Sequence, residues 1–186
     1  MKVMSAINSV DALFDLLAKG GGEAYFGEPV TVLEHSLQAA WFVQQEGGSE
    51  SLIVAALLHD VGHLLHSEGE DAAQHGIDTR HEELGMEALK DHLPAEVLDP
   101  IRLHVAAKRF LCFDDATYAT ELSAASLESL ILQGGPLTAE EAEAFLALPH
   151  AREAVAVRRA DDAAKVFELK VPELKQYRSL VTQFWR

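Results

Sequence analysis

Cysteine is nearly absent from this 186-residue chain. Cys112 stands alone, so no internal disulfide can form, and a reducing compartment, the cytoplasm, is the expected location. Basic residues are scarce too: 15 Lys and Arg face 30 Asp and Glu, a formal net charge of −15. A binder of the phosphate backbone needs clustered cations, so nucleic acid is not an expected partner. Long apolar runs are also missing. The longest, Leu52 to Leu58, falls far short of the roughly 20 residues that span a bilayer, and no membrane association is expected. Met1 to Ala6 carries no apolar stretch of the kind that opens a leader peptide. Repeats, low-complexity tracts and period-two alternation do not occur. What remains is 48% hydrophobic and 24% charged, the balance of a soluble folded protein, at a length that suits one domain over 1–186.

The apolar residues follow the helical period. Val10, Leu13, Phe14 and Leu17 form a first stripe closed by Gly20-Gly21-Gly22, and a loop follows from Glu23 to Pro29. Thr31 to Gln45, apolar on nearly every face and stopped by Gly47-Gly48, reads as a buried helix. Ser51 to Leu65 reads the same way. A polar loop spans Glu68 to Thr79, after which His81, Leu84, Gly85, Ala88 and Leu89 mark a helix. Pro100 suits a first helical turn, with Ile101, Val105 and Lys108 continuing towards Leu111. Ser123 to Gln133 is the next helix, then a short one opened by the Thr138/Glu141 capping-box spacing. Ala151 to Leu169 is longer, and Leu174, Tyr177, Val181 and Phe184 stripe the last. The expected fold class is all-α.

Seven of the nine histidines lie between His59 and His104. Burying imidazole without a partner is unfavourable, so histidine and carboxylate on apolar helices point to metal. The sharpest element is Ala55-Ala56-Leu57-Leu58-His59-Asp60-Val61-Gly62-His63. Asp60 follows an apolar run and His59, so its carboxylate is drawn inside, where a cation relieves the cost of its charge. Neighbouring helical side chains diverge by about 100°, which lets His59 and Asp60 approach one ion from adjacent directions. His35 lies among Val32, Ala39 and Phe42; alone it reads as a hydrogen-bonded core residue, and Asp161 alone reads as a surface ion-pair partner. His66, His75, His92 and His150 read as surface or supporting residues.

The order His35 … His59-Asp60 … Asp161 resembles the metal signature of the HD-domain superfamily, all-helical proteins named for the His-Asp doublet. In members with two metals, histidines between the doublet and the last Asp hold the second ion, which here implies His81 and His104. The resemblance extends further. Tyr25-Phe26-Gly27-Glu28-Pro29, Leu58-His59-Asp60-Val61-Gly62-His63, His81-Glu82-Glu83-Leu84-Gly85, Leu103-His104 to Lys108-Arg109, Leu132-Gln133-Gly134-Gly135-Pro136 and Arg158-Arg159-Ala160-Asp161-Asp162 to Lys165 together resemble the PhnZ-like phosphonate oxygenases over roughly residues 20 to 175.

That resemblance implies a helical bundle around a dinuclear centre of two iron ions, Fe(II)/Fe(III), with O2 as co-substrate. It implies that His35, His59, Asp60 and Asp161 hold the iron that binds substrate, and that His81, His104 and bridging Asp60 hold the iron that binds oxygen. Tyr25 falls on an active-site loop near 23–29 that covers the resting site, and Glu28 would meet a substrate ammonium group. His63, one turn after His59, would face the same cavity. The implied substrate is a small 1-hydroxyethylphosphonate with a 2-amino or 2-trimethylammonio group, whose C–P bond is cleaved to give phosphate and glycine or glycine betaine.

Two cations support an anionic ligand independently. Lys108 is four residues after His104 and Arg158 three before Asp161, so each shares a helical face with a metal-ligand candidate. A phosphonate dianion suits both. The plainer readings are that Arg158 bridges Asp162 and that Lys108 reaches solvent. Ser126, Ser129 and Gln133 fall on one helical face and could donate hydrogen bonds to the same anion, although a polar face is usually just solvated. Tyr25, Phe26 and Phe110 are aromatic candidates around a trimethylammonium group. Two other functions stay open: a dinuclear HD phosphohydrolase acting on a small phosphate ester or nucleotide, and an HD module that binds an anionic signal without catalysis.

Overall fold

The computed structural model describes residues 7–66 and 75–186. Part of the expected 68–79 loop and the first six residues lie outside them. Ten α-helices form the described fold, as the helical periodicity implies. Extended pairing among the described residues is limited to one bridge between Ala24 and Thr31.

Side-chain caps account for five of the ten helix starts. α1 (Val10–Gly20) is capped by Ser9, whose side chain accepts from the Ala12 amide at 3.1 Å. α2 (Val32–Gln45) opens with a capping box between Thr31 and Glu34, and α3 (Glu50–Leu58) with Ser49. α4 covers His81–Leu89 and α5 Ala95–Asp114. A short α6 (Tyr118–Glu121) precedes α7 (Ala124–Leu132), which Ser123 caps. α8 (Ala139–Leu146) has the expected Thr138/Glu141 box, and α9 (Ala151–Ala163) and α10 (Arg178–Phe184) complete the set.

Four boundaries differ from the sequence reading. The helix of Ser51 to Leu65 breaks at the His-Asp doublet: α3 stops at Leu58, His59 caps it, and Val61–Leu64 forms a separate 3-10 turn. His59 still has helical dihedrals and Asp60 begins the 3-10 turn, and the two adjacent side chains converge, with Asp60 Oδ2 3.4 Å from His59 Nε2. Pro100 is not in a first turn. Pro94 caps α5 and Ala95 begins it, which leaves Pro100 inside the helix, where its missing N–H forfeits one backbone bond. α9 ends at Ala163, not Leu169, because α2 takes over the backbone groups beyond it: His35 binds the Ala164 carbonyl, and Gln38 bonds both the N–H and the C=O of Val166. The last stripe divides into a 3-10 turn, Leu174–Tyr177, and α10.

α2, α3, α5 and α9 pack together as the central bundle, with α4 against α5. The run Leu52 to Leu58 is buried throughout and belongs to the main core with Leu13, Leu89, Ile101 and Val157. A second core under α6–α8 contains Phe110, which stacks on Phe145 at a centroid distance of 5.3 Å. Phe110 therefore faces away from the histidines.

Candidate metal centre

Five segments deliver the centre. α2 presents His35, the end of α3 presents His59 and Asp60, the start of α4 presents His81, the middle of α5 presents His104, and the last turn of α9 presents Asp161. All six side chains are buried. Gly62 permits the approach of α4: a Cβ there would lie 1.9 Å from the His81 carbonyl oxygen, so only glycine fits without moving that backbone.

Two overlapping donor groups result. His35, His59 and Asp60 form one, and Asp60, His81 and His104 the other, each with its ligand atoms within 4.8 Å of one another. Asp60 is common to both. Its Oδ2 lies 3.5 Å from His35 Nε2, and its Oδ1 lies 3.4 Å from His81 Nε2 and 3.6 Å from His104 Nε2. Asp161 joins the first group, with Oδ1 3.3 Å from His35 Nε2 and 3.9 Å from His59 Nε2.

The tautomers show that this donor set fits metal. His35 Nδ1 donates to the Ala164 carbonyl, His59 Nδ1 to Ala56 and His104 Nδ1 to Ile101, at 2.9, 2.8 and 2.7 Å. A carbonyl only accepts, so each neutral ring keeps its lone pair on Nε2. His35 and His59 then aim lone pairs at each other across 3.2 Å, and His104 Nε2 sits 3.0 Å from His81 Nε2. A shared cation turns that repulsion into coordination, with the Nδ1–H bonds as the supporting contacts usual for metal-bound histidine. Imidazole and carboxylate without thiolate suit a first-row metal.

The electrostatics favour the ligating states of His59, His104, Asp60 and Asp161, but not that of His81. Burial drives His104 down to about 3, and burial also holds His59 low, so both rings stay neutral. Burial opposes the charge of Asp60, but His59 and the hydrogen bond to His81 outweigh it and keep the carboxyl well below its ordinary range. Asp161 behaves alike, with Arg158 as the dominant counter-charge. For His81, burial is overcome by the hydrogen bond and charge of Asp60, and its pKa rises.

A cavity of about 100 Å³ opens onto Asp60, His81, His104 and Asp161. Tyr25 closes one side. Its ring stacks on His35 at 3.9 Å, and its hydroxyl donates to Asp60 Oδ2 at 2.7 Å. Burial, with Asp60 and Asp161 nearby, pushes the phenol well above its usual pKa, so it stays a donor. The loop is held by Tyr25 N–H to Val30 and Glu28 N–H to Tyr25, at 3.0 and 2.8 Å, and turns through Phe26 and Gly27 with φ of 47° and 75°. Phe26 lies over His63 at 4.5 Å, and His63 stacks on His81 at 3.9 Å. His63 thus lines the cavity, as expected, and burial keeps it neutral.

Lys108, Arg158, Ser126, Ser129, Gln133 and Glu28 line the same cavity. Lys108 is 2% exposed, which excludes the solvent-reaching reading; it donates to Ser129 Oγ at 2.7 Å. Burial, and then the charge of Arg158, lower its pKa to about 7. Arg158 lines the cavity, pairs with Asp162 and also binds Asp161 Oδ2 at 2.7 Å. Gln133 keeps a buried Oε1 without a hydrogen-bond partner. Phe110 is the candidate that the fold removes.

Two contributors, Lys165 and Tyr118, carried no assigned role in the sequence reading. Lys165 lines the cavity, donates to Ser126 Oγ at 3.3 Å and stands 3.9 Å from Glu28. Its signal was its place four residues after Asp161. Tyr118 donates to Asp162 and accepts from Arg158 Nε at 3.1 Å. Asp162 closes that network.

An all-helical bundle that gathers His35, His59-Asp60 and Asp161 at one buried centre is the arrangement of an HD domain, and residues 32–162 match that domain. The chain belongs to the HD-domain family, in its PhnZ-like branch. It is 41% identical over 174 residues to a [1-hydroxy-2-(trimethylamino)ethyl]phosphonate dioxygenase (glycine-betaine-forming) of Leisingera caerulea, a match covering 94% of this chain and 89% of the relative. It is 43% identical over 174 residues to a hydroxymethylphosphonate dioxygenase of Gimesia maris, covering 92% and 86%. No helix among the described residues is long and apolar enough to cross a membrane.

Proposed function

We propose that this chain is a single-domain phosphonate dioxygenase that uses O2 to cleave the C–P bond of a small 1-hydroxyphosphonate, with two iron ions as cofactor. The observation that carries this reading is one cavity lined both by Asp60, the carboxylate common to two donor groups, with His81, His104 and Asp161, and by Lys108, Arg158 and Lys165. The names of both relatives support the same reaction class.

In this reading His35, His59, Asp60 and Asp161 hold one iron, and His81, His104 and Asp60 hold the other. When bound, the irons would supply the activation of O2 for oxidation at the carbon next to phosphorus, the substrate being the electron donor and O2 the acceptor. The chain's own residues supply the rest. Lys108 and Arg158 offer charge-assisted hydrogen bonds to the phosphonate oxygens, with Ser126, Ser129 and Gln133 completing the cradle. Gln133 would donate to the phosphonate through Nε2, and its orphaned Oε1 is free to accept from a substrate hydroxyl. Tyr25 occupies Asp60 until substrate arrives, which keeps water from the shared carboxylate. Glu28, paired with Lys165 before substrate binds, is released to a substrate ammonium when Lys165 turns to the phosphonate. His63 borders the reacting carbon as a neutral group.

The test is phosphate release by iron-loaded protein with and without O2. The substrates are 1-hydroxy-2-(trimethylamino)ethylphosphonate, its primary-amine analogue and hydroxymethylphosphonate. Phosphate in step with O2 consumption is the expected result, with the cationic substrates preferred over hydroxymethylphosphonate. Hydrolysis of phosphate esters without O2, and no reaction with the phosphonates, would overturn the proposal in favour of a phosphohydrolase.

A further inference from the structure

Four buried imidazoles meet at the centre, and three are anchored in one way. His35, His59 and His104 each give Nδ1–H to a backbone carbonyl, and for His59 and His104 that carbonyl lies three residues earlier in the chain. His81 has no such turn behind it, because it is the first residue of α4. Its Nδ1 faces a side chain instead: Glu82 Oε2 lies 3.6 Å away. That oxygen is buried and has no hydrogen-bond partner among the described residues. A carboxylate oxygen buried without a partner is unfavourable, so its retention calls for a reason. The first turn of α4 lessens the penalty, since the helix dipole favours an anion there.

We propose that Glu82 is the positioning residue of His81. Its carboxylate accepts the Nδ1–H, holds the ring with Nε2 toward Asp60 and His104, and makes this imidazole a stronger donor than the three held by carbonyls. The separation exceeds a hydrogen bond by a few tenths of an ångström and is within reach of a side-chain torsion. The two halves of the centre are therefore unequal. The half built on His35 and His59 is anchored by neutral carbonyls, and the half built on His81 by a charge. The inference rests on the two-metal reading and is independent of the substrate.

Anaerobic Fe(II) titration of the metal-free full chain, with metal content read after dialysis, tests it in the wild type, Glu82→Gln and Glu83→Gln. Glutamine keeps the size and the acceptor but removes the charge. The wild type is expected to take up two ions. Glu82→Gln is expected to weaken one of them roughly 10- to 100-fold while the other stays unchanged. The midpoint potential of the two-iron form should rise, and the metal-free melting temperature should match the wild type. Glu83→Gln should behave as wild type in every readout. Unaltered affinities and potential in Glu82→Gln would overturn the role, as would equal weakening of both ions with a lower metal-free melting temperature. Uptake of fewer than two ions by the wild type would instead remove the two-metal reading beneath it.

Discussion

The hydroxyl of Tyr25 donates a 2.7 Å hydrogen bond to Oδ2 of Asp60, the carboxylate common to both donor groups. In the proposed reading, a ligand that takes the place beside Oδ2 displaces the phenol first. Tyr25→Phe removes the bond but keeps the ring on His35. Hydrogen bonds to charged groups are worth about 1.5–3 kcal/mol, so the variant is expected to bind a phosphonate roughly tenfold more tightly. Calorimetric titration of iron-loaded protein checks this. Weaker binding by Tyr25→Phe would mean that the hydroxyl assists the ligand and does not compete with it.

Lys108 gives a pH-dependent prediction. Its folded pKa of about 7 lies below the ordinary 10.5 because burial disfavours the charge. From about pH 7 to 10.5 the unfolded chain holds a proton that the folded chain has released, so this lysine makes stability rise with pH across that window. Lys108→Met lacks the effect. The variant should melt above the wild type at pH 6, and the gap should narrow towards pH 10, with each 1 kcal/mol shifting Tm by about 2–4 °C at this chain length. Its kcat/KM for a phosphonate should fall roughly 10- to 100-fold with the lost charge-assisted contact. Thermal melts at both pH values decide the first point.

Asp60 and His104 should differ in how much metal they hold. Asp60 faces both groups, whereas His104 faces Asp60 and His81. Asp60→Ala is expected to lose both metals and His104→Ala mainly one, measured as ions per chain after anaerobic loading and desalting. Loss of one ion in each variant would sink the dinuclear arrangement.

Gly62→Ala tests how α4 is seated. A Cβ at 62 would meet the His81 carbonyl oxygen at 1.9 Å, and only a backbone shift relieves that contact. The variant should weaken the ion next to His81 more than the other and lower Tm by several degrees, an overpacking cost of about 1–3 kcal/mol. Unchanged metal affinity and Tm would show that the close approach has no bearing on the centre.

The helices were readable where one local signal fixes them. Ser123, Thr138 with Glu141, and Gly47-Gly48 marked boundaries by capping or turn chemistry, and each stands close to where it was expected. Boundaries set by distant partners were not readable. The end of α9 depends on His35 and Gln38, more than a hundred residues earlier, and no local pattern records that. Pro100 misled because proline favours first turns, yet Pro94 had already capped the helix. At the site, residue type alone marked the His59-Asp60 doublet, whereas His35, His81, His104 and Asp161 were singled out only by the resemblance to HD domains. Lys165 and Tyr118 escaped because their importance arises from what folding sets beside them: Glu28 and Ser126 for one, Arg158 and Asp162 for the other.

The centre draws on five segments between His35 and Asp161, so bound ions would act as cross-links across most of the chain's length. Ligand binding stabilises only the state that contains the site, and here that state is the assembled bundle. The folded population would thus report metal supply: protein without its metal would be looser as well as idle, and proteolysis would remove it first.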